Sequence, residues 1–208
     1  MLSELSVPYF EFKDANIDVT IASINGGLIP VEPTPWFIDT KEDKMFNKSA
    51  ELTSLLTNSL SIEDVDFTEF DIVFLSGGWG AAYDLGFSES LADKMFTAYE
   101  SGSLIGAICH GVLGLINIKN KDGELLIKNR KMTGVTNKQL QELGIFFTPM
   151  HPEDELKKAG VLFESKSKRI EFFANHVVVD DEKRFITGQN QNAGHEISQK
   201  IMEILENE

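Results

Sequence analysis

The chain contains only one cysteine, Cys109, among its 208 residues. A single cysteine cannot close an internal disulfide, and the N-terminal segment MLSELSVPYFEF lacks the basic start and apolar run of a secretory signal peptide. These absences exclude a small secreted protein held together by disulfides. They predict a cytoplasmic location.

Basic residues and long apolar runs are also scarce. Nineteen Lys and Arg residues stand against thirty-three Asp and Glu residues, and the net charge of −14 repels nucleic-acid phosphates and anionic membrane surfaces. The most apolar stretch, SLIGAICHGVLGLINI, is shorter than the ~20 residues of a membrane span and contains His110. We therefore expect neither a nucleic-acid partner nor a membrane partner.

The remaining composition is that of a soluble globular protein, with 42% hydrophobic and 25% charged residues. The length fits one domain spanning residues 1–208, which can bury a full core. The histidines other than His110 show no metal-binding spacing, so the sequence predicts no metal site.

Apolar, β-branched runs alternate with helical patterns, which is typical of an α/β protein with a buried parallel sheet. The runs read as strands are IDVTIAS (17–23), DIVFLS (71–76), SLIGAIC (103–109), HVVVD and RFITG. Helices are predicted after Ser88, after Thr136 as a capping box with Gln139, from Pro152, and around HEISQKIMEIL. The proline-containing stretch 25–48 reads as a long surface loop.

The segment GAICHG places Cys109 at a sharp turn between a strand and a helix. A nucleophile at such a turn points out of the carboxyl edge of the sheet, and the turn needs small residues on either side, here Ala107 and Gly111. The arrangement resembles the serine elbow of hydrolases with sulfur in place of oxygen. The alternative is a buried structural thiol.

A second strand ends in the glycine-rich turn GGWG, residues 77–80. Backbone amides at Gly77 and Gly78 could form one half of an oxyanion hole, with the amide beyond Cys109 as the other half. An ordinary tight turn is the competing interpretation. If the two strands are neighbours, both turns open into one crevice at the carboxyl edge of the sheet.

Five segments, taken in order, resemble the ThiJ/PfpI superfamily. They are ELSVPYFEFKDANIDVTIASINGG, GGWG with AAYDL, GAICHG, MTGVTN with PEDELKKAG, and HVVVDDEKRFITGQN. The resemblance is closest to the glyoxalase III-like and heat-shock-chaperone-like branch, also described as class I glutamine amidotransferase-like. It implies a flavodoxin-like three-layer α/β/α sandwich with a mostly parallel sheet, and a homodimer.

The same resemblance implies a site made of Cys109, His110 and an early carboxylate. In the family that carboxylate lies four residues before a proline that opens the first helix, and ELSVP places Glu4 there, ahead of Pro8. The dipole at a helix N-terminus contributes ~0.3–1 kcal/mol, whereas lowering a thiol pKa from ~8.5 to ~5.5 requires ~4 kcal/mol. We therefore predict that Glu4 supplies the difference and shares one proton with Cys109. The alternative is that Glu4 is an ordinary acid in the first turn of the helix.

Two departures from the family pattern are visible. Trp79 stands where the family has the histidine of GGHG, so it is a candidate for lining the pocket, as is His176 in NHVVVD, which could equally be structural. Only three residues precede Glu4, whereas the family has a first strand some twenty residues earlier. We expect a truncated start; otherwise the sheet lacks a central strand, which leaves edges unpaired.

Three functions are consistent with these residues. The leading hypothesis is a cofactor-independent glyoxalase III-type enzyme that converts methylglyoxal, a small carbonyl substrate, to lactate. A cysteine-dependent amidase, peptidase or protein deglycase would use the same side chains. A redox-sensing or holdase chaperone protein would instead oxidise Cys109 or act independently of it.

Overall fold

The computed structural model describes residues 1–32 and 39–207. Its helices are α1 (Ser3–Asp14), α2 (Lys41–Lys48), α3 (Ala50–Thr57), α4 (Glu89–Ser101), α5 (Asn137–Glu142), α6 (Pro152–Lys158) and α7 (Gly194–Leu205). Its strands are β1 (Ala22–Ser23), β2 (Leu60–Ser61), β3 (Ile72–Leu75), β4 (Leu104–Ile108), β5 (Lys131–Met132), β6 (Leu162–Phe163), β7 (Val177–Val179) and β8 (Phe185–Gly188).

The main sheet has the strand order β3-β4-β8-β7. Strands β3, β4 and β8 run parallel, and β7 is antiparallel to β8. The pairs β1-β2 and β5-β6 are parallel and separate from the main sheet. The mostly parallel sheet predicted from the sequence is therefore confirmed.

Strand β4 separates two apolar cores because successive side chains of a strand point to opposite faces. Leu104 and Ile108 share one core with residues of α1 and α7, whereas Ile105 and Ala107 share the other with residues of α4. Every residue of β4 is buried. Helices therefore cover both faces, which is the predicted three-layer arrangement and explains why this strand is apolar throughout.

The ends of α4 follow the sequence signals. The hydroxyl of Ser88 accepts a hydrogen bond from the N–H of Leu91 at 3.1 Å, and Gly102 ends the helix with a φ of +108°.

The capping box predicted at α5 forms only in part. Thr136 accepts the N–H of Gln139 at 3.1 Å, but the Gln139 side chain accepts a hydrogen bond from Asn190 instead.

Two sequence predictions need correction. The strand predicted over 17–23 is formed only at Ala22–Ser23, because it has a pairing partner, β2, on one side only among the described residues. The stretch 25–48 contains α2, whose N-terminus is closed by a capping box between Thr40 and Asp43. The part of that stretch from 33 to 38 lies outside the described residues.

A membrane-spanning helix would need a long, apolar segment. Within residues 1–32 and 39–207, none of the helices has the length and apolarity to cross a bilayer.

Candidate active site

Cys109 lies at the turn that leaves the carboxyl end of β4. Its φ of +57° is in the left-handed region, which a residue with a Cβ adopts only under constraint from its surroundings. A Cβ at Gly111 would collide with the carbonyl oxygen of Leu75, so the turn does need a glycine there. The backbone at Cys109 is therefore that of a strained nucleophile turn.

The residues after Cys109 correct one expectation. Residues Cys109–Leu115 form a 3₁₀ helix instead of an α-helix. The segment carries Gly111 and Gly114, a residue type with weak helix propensity, and Gly111 is pressed against the backbone of β3. A short 3₁₀ segment aligns fewer peptide dipoles than a full α-helix, so it favours the thiolate less than the sequence suggested.

The Gly77–Gly78 turn meets the Cys109 turn because β3 and β4 are adjacent, with Leu75 paired to Ala107. A Cβ on Gly77 would lie 2.5 Å from the Ile108 carbonyl oxygen and 3.0 Å from the amide nitrogen of His110. Gly78 has a φ of +96°, which favours glycine. The two turns therefore lie side by side, and the oxyanion hole between them remains a prediction.

Glu4 reaches this crevice from the first turn of α1. Its side chain is buried, and its Oε2 lies so close to Gly77 that it would collide with a Cβ there. Among the described residues this oxygen has no hydrogen-bonding partner. Pro8 lies inside α1, which starts at Ser3, and so does not open the helix as the resemblance implied. Since proline has no N–H, the Glu4 carbonyl lacks its usual helical donor.

His110 is buried beside the sulfur, with Nδ1 3.5 Å from Sγ of Cys109. Its Nε2 makes no hydrogen bond within the part of the chain that the structure describes. Burial, together with the positive charge of the Met1 ammonium and against a raising by Glu32, lowers the pKa of His110 to about 4. The imidazole is therefore neutral at pH 7, with one nitrogen able to accept a proton and the other able to donate.

The thiol of Cys109 and the carboxyl of Glu4 are coupled. Burial raises the pKa of Cys109 well above its ordinary value, and the charge of Glu4 raises it further. Burial also raises the pKa of Glu4, against a lowering by the Met1 ammonium. Two buried acids that oppose each other's ionisation retain a proton between them to higher pH than either would alone.

Sequence reasoning missed Glu32. Its Oε1 accepts the backbone N–H of Trp79 at 3.0 Å, and its Oε2 lies 2.9 Å from the amino group of Met1. Trp79 in turn packs edge-on against Tyr83, with ring centroids 6.0 Å apart. Glu32 therefore fixes the turn that carries Gly78. It lies in a loop without hydrophobic periodicity, so no pattern in the sequence marks it.

A family model assigns the fold that this geometry suggests. The model described as the DJ-1/PfpI family matches residues 2–204. The chain belongs to the DJ-1/PfpI family. The resemblance to ThiJ/PfpI proteins is thus confirmed over nearly the whole chain, and with it the flavodoxin-like α/β architecture.

Named relatives of this DJ-1/PfpI protein include Glyoxalase 3 of Candida albicans, which is 30% identical over 159 residues, or 74% of this chain and 64% of that protein. A glutathione-independent glyoxalase of Schizosaccharomyces pombe is 28% identical over 76% of this chain and 66% of that protein. The crystal structure of Rapid Encystment Protein 24 kDa of Francisella tularensis has 32% identity and a TM-score of 0.90, and the match covers 97% of this chain and 88% of that one.

The chain thus spans less than two thirds of the length of the Candida relative.

Within the DJ-1/PfpI fold the structure brings together Cys109, His110, Glu4 and the Gly77–Gly78 turn. His176 does not contact this group. Its Nε2 is 3.6 Å from Oε2 of Glu164, and among the described residues it makes no hydrogen bond or ion pair with Cys109, His110 or Glu4. Its place in the pocket remains a prediction.

Metal binding requires a cluster of suitable ligands. Over the described residues, 1–32 and 39–207, the structure holds no group of three or more His, Cys, Asp and Glu side chains placed to bind one ion.

Proposed function

We propose that this DJ-1/PfpI protein is a cofactor-independent glyoxalase III-type enzyme that converts methylglyoxal to lactate. One observation carries the proposal: the sulfur at the strained turn lies 3.5 Å from a buried histidine, beside the Gly77–Gly78 turn. The names of the Candida and Schizosaccharomyces relatives agree with this activity.

The proposed reaction starts with attack of the Cys109 thiolate on the aldehyde carbon, which forms a hemithioacetal. Backbone amides of Gly78 and His110 hold the oxyanion. A base removes the proton from the former aldehyde carbon, and the resulting enediol is reprotonated on the neighbouring carbon. This gives a thioester of lactate, and water cleaves it to lactate and free thiol.

His110 and Glu4 are the proposed carriers of that proton. Neutral His110 can accept it without first losing one of its own. Glu4 takes the proton released by the thiol when sulfur attacks, because the two groups are buried together. Both carriers regain their starting state when the enediol is reprotonated.

Glu4→Gln separates charge from hydrogen bonding at this position. Glutamine keeps a donor but removes the charge that opposes thiolate formation, so the pKa of Cys109 should fall relative to wild type. Glu4→Ala removes both features, and its thiol pKa should lie above that of Glu4→Gln. Neither glutamine nor alanine can accept the thiol proton and return it. The value of kcat should therefore fall in both variants by roughly 10²–10⁴-fold.

The measurement for this pair of variants is the ultraviolet absorbance of the thiolate, followed as a function of pH. The single cysteine makes the signal unambiguous. A thiol pKa that rises strongly in Glu4→Gln would contradict the shared proton.

The rate should change little with pH between the pKa of Glu4 and the pKa of Cys109. Above about pH 4 the His110 ring stays neutral, so its titration adds no limb near its ordinary pKa. Because Glu4 takes the thiol proton, the reactive pair holds one proton, and the raised pKa of Cys109 places the loss of that proton at high pH. The measurement is kcat/KM for lactate formation at each pH, corrected with the Cys109→Ala protein as blank. A kcat/KM that rises about tenfold per pH unit through neutral pH would show that the thiolate forms before attack and would contradict proton transfer to Glu4.

A second candidate function is hydrolytic. Adjacent residues in a sequence need not face each other, yet Nδ1 of His110 does reach the Cys109 sulfur. The same pair could therefore cleave an amide, a peptide or a glycated side chain. Assaying an amide panel beside methylglyoxal separates the two activities.

The redox-sensing alternative has less support, because such cysteines are exposed and have a low pKa. Cys109 is 5% exposed and its pKa is raised.

We propose further that residues 1–208 act as one domain, without a cofactor, in the cytoplasm and as a homodimer. Light scattering of the purified protein tests the last point, since a dimer has twice the chain mass of 23.2 kDa.

A further inference from the structure

The turn that carries Gly78 is held by a carboxyl that is distant in sequence. The backbone N–H of Trp79 donates to Oε1 of Glu32 at 3.0 Å, across 47 positions of the chain. A Cβ on Gly78 would lie 3.4 Å from Oε2 of the same side chain, which is ordinary van der Waals contact. The carboxyl of Glu32 therefore lies directly against Gly78 and Trp79.

The turn is weakly restrained by its own sequence. Three of the four residues from Gly77 to Gly80 are glycine, which loses more conformational freedom on folding than any other residue. The N–H of Ala81 donates to the Gly78 carbonyl at 3.1 Å and closes the 3₁₀ turn Trp79–Ala82. The N–H of Trp79 belongs to the first residue of that turn, so it has no acceptor within the turn itself. An acceptor from elsewhere in the chain is needed to fix it.

The two ends of the turn are fixed in different ways. At Gly77 the backbone is wedged against the turn that carries Cys109, where a Cβ would lie 2.5 Å from the Ile108 carbonyl oxygen. Beyond Gly78, the Glu32 hydrogen bond fixes the peptide plane that contains the Trp79 N–H. Both peptide planes share the Cα of Gly78. Rotation at this glycine therefore turns the Gly78 N–H relative to Cys109, and Glu32 opposes that rotation.

We infer that Glu32 is a positioning residue for the proposed reaction, which keeps the Gly78 amide directed at the oxyanion by accepting the N–H of Trp79. The inference rests on the proposed glyoxalase function and adds a residue to it. Glu32 acts through the turn. Its side chain is 35% exposed, so water and salt screen its charge, and we assign the role to the hydrogen bond.

Glu32→Ala and Glu32→Gln separate this hydrogen bond from the charge. Alanine removes the acceptor, so kcat for lactate formation from methylglyoxal should fall about tenfold or more, the effect of losing a hydrogen bond to a charged group. Because the oxyanion exists only after attack, KM should change less than about threefold. Glutamine keeps an oxygen that can accept the same N–H, and it should retain kcat within about threefold of wild type.

Substitutions at residue 79 test whether the effect passes through the Trp79 N–H. Trp79→Pro removes this donor at the first position of a 3₁₀ turn, where the φ of proline fits, and the ψ of 154° at Gly78 is compatible with a following proline. Trp79→Ala is the matched control, because it removes the same indole and retains the N–H. Adding Glu32→Ala should lower kcat about tenfold in the Trp79→Ala protein and less than about twofold in the Trp79→Pro protein.

Hydrogen exchange at the Trp79 amide measures the contact without turnover. Exchange should be about tenfold or more faster in Glu32→Ala than in wild type, and Glu32→Gln should remain close to wild type. If Trp79→Pro fails to fold, the exchange rates and the comparison of alanine with glutamine at residue 32 decide the question.

The outcomes separate the inference from the function on which it rests. Absence of lactate formation by the wild-type chain would overturn the proposed function, and the catalytic role of Glu32 with it. With an active wild-type chain, three results would overturn the inference alone. These are a Glu32→Gln protein as impaired as Glu32→Ala, an equal loss from Glu32→Ala in both residue-79 proteins, and unchanged exchange of the Trp79 amide in Glu32→Ala.

Discussion

Cys109→Ala should reduce kcat/KM for methylglyoxal by about 10⁴-fold or more, because the variant has no atom that can form the hemithioacetal. Removing one member of a group that acts together abolishes most of the rate enhancement of the whole group. The measurement is lactate production from methylglyoxal under saturating and limiting substrate. Cys109 is the only cysteine, so no other thiol can substitute.

The control for Cys109→Ala is its fold. Alanine retains a Cβ at the left-handed φ of +57°, so the backbone strain remains and thermal unfolding should be nearly unchanged. Cys109→Ser keeps a potential nucleophile of much lower reactivity and should be close to inactive. Full lactate formation by a folded Cys109→Ala protein would exclude the proposed covalent mechanism.

Gly77→Ala should eliminate most activity and destabilise the chain by about 1–3 kcal/mol, the usual cost of forcing an extra group into a packed site. The added methyl would lie 2.5 Å from a backbone oxygen of Ile108, which cannot rotate away as a side chain could. It would also displace the Glu4 carboxyl and separate the two turns of the proposed oxyanion hole. Equilibrium unfolding and lactate formation measure the two effects.

Gly80→Ala is the matched control, three residues further along the same turn. A Cβ there meets no atom within 4 Å, and Gly80 is not among the glycines with positive φ. Its activity and stability should remain near wild type. If Gly77→Ala behaved like Gly80→Ala, the close approach of the two turns would not be required for function.

The sequence predicted the parts of the site that depend on local pattern. An apolar run followed by a small-residue turn placed Cys109 at the end of β4, and GGWG placed Gly77 at the end of β3. That the two turns meet follows from β3 and β4 being neighbours, a pairing that no local pattern determines. The carboxylate at Glu4 came from family resemblance alone.

Other features depended on tertiary contacts. The expectation that a helix dipole favours the thiolate was weakened by the 3₁₀ geometry after Cys109 and by burial, which moves the thiol pKa upward. The strand predicted over 17–23 had the right residues but, among the described residues, pairs on one side only. Glu32 reaches the site from a loop, and the distance in sequence from Trp79 conceals that contact.

The proline inside α1 has a consequence for what holds Glu4 in place. The Glu4 carbonyl has no N–H at residue 8 to accept from, so the turn that carries this carboxyl is joined to the rest of the helix by one hydrogen bond fewer. Ser3, Glu4, Ser6 and Val7 are nevertheless buried. Packing against the rest of the protein, more than the helix's own hydrogen bonds, therefore positions the carboxyl that we propose as a proton carrier.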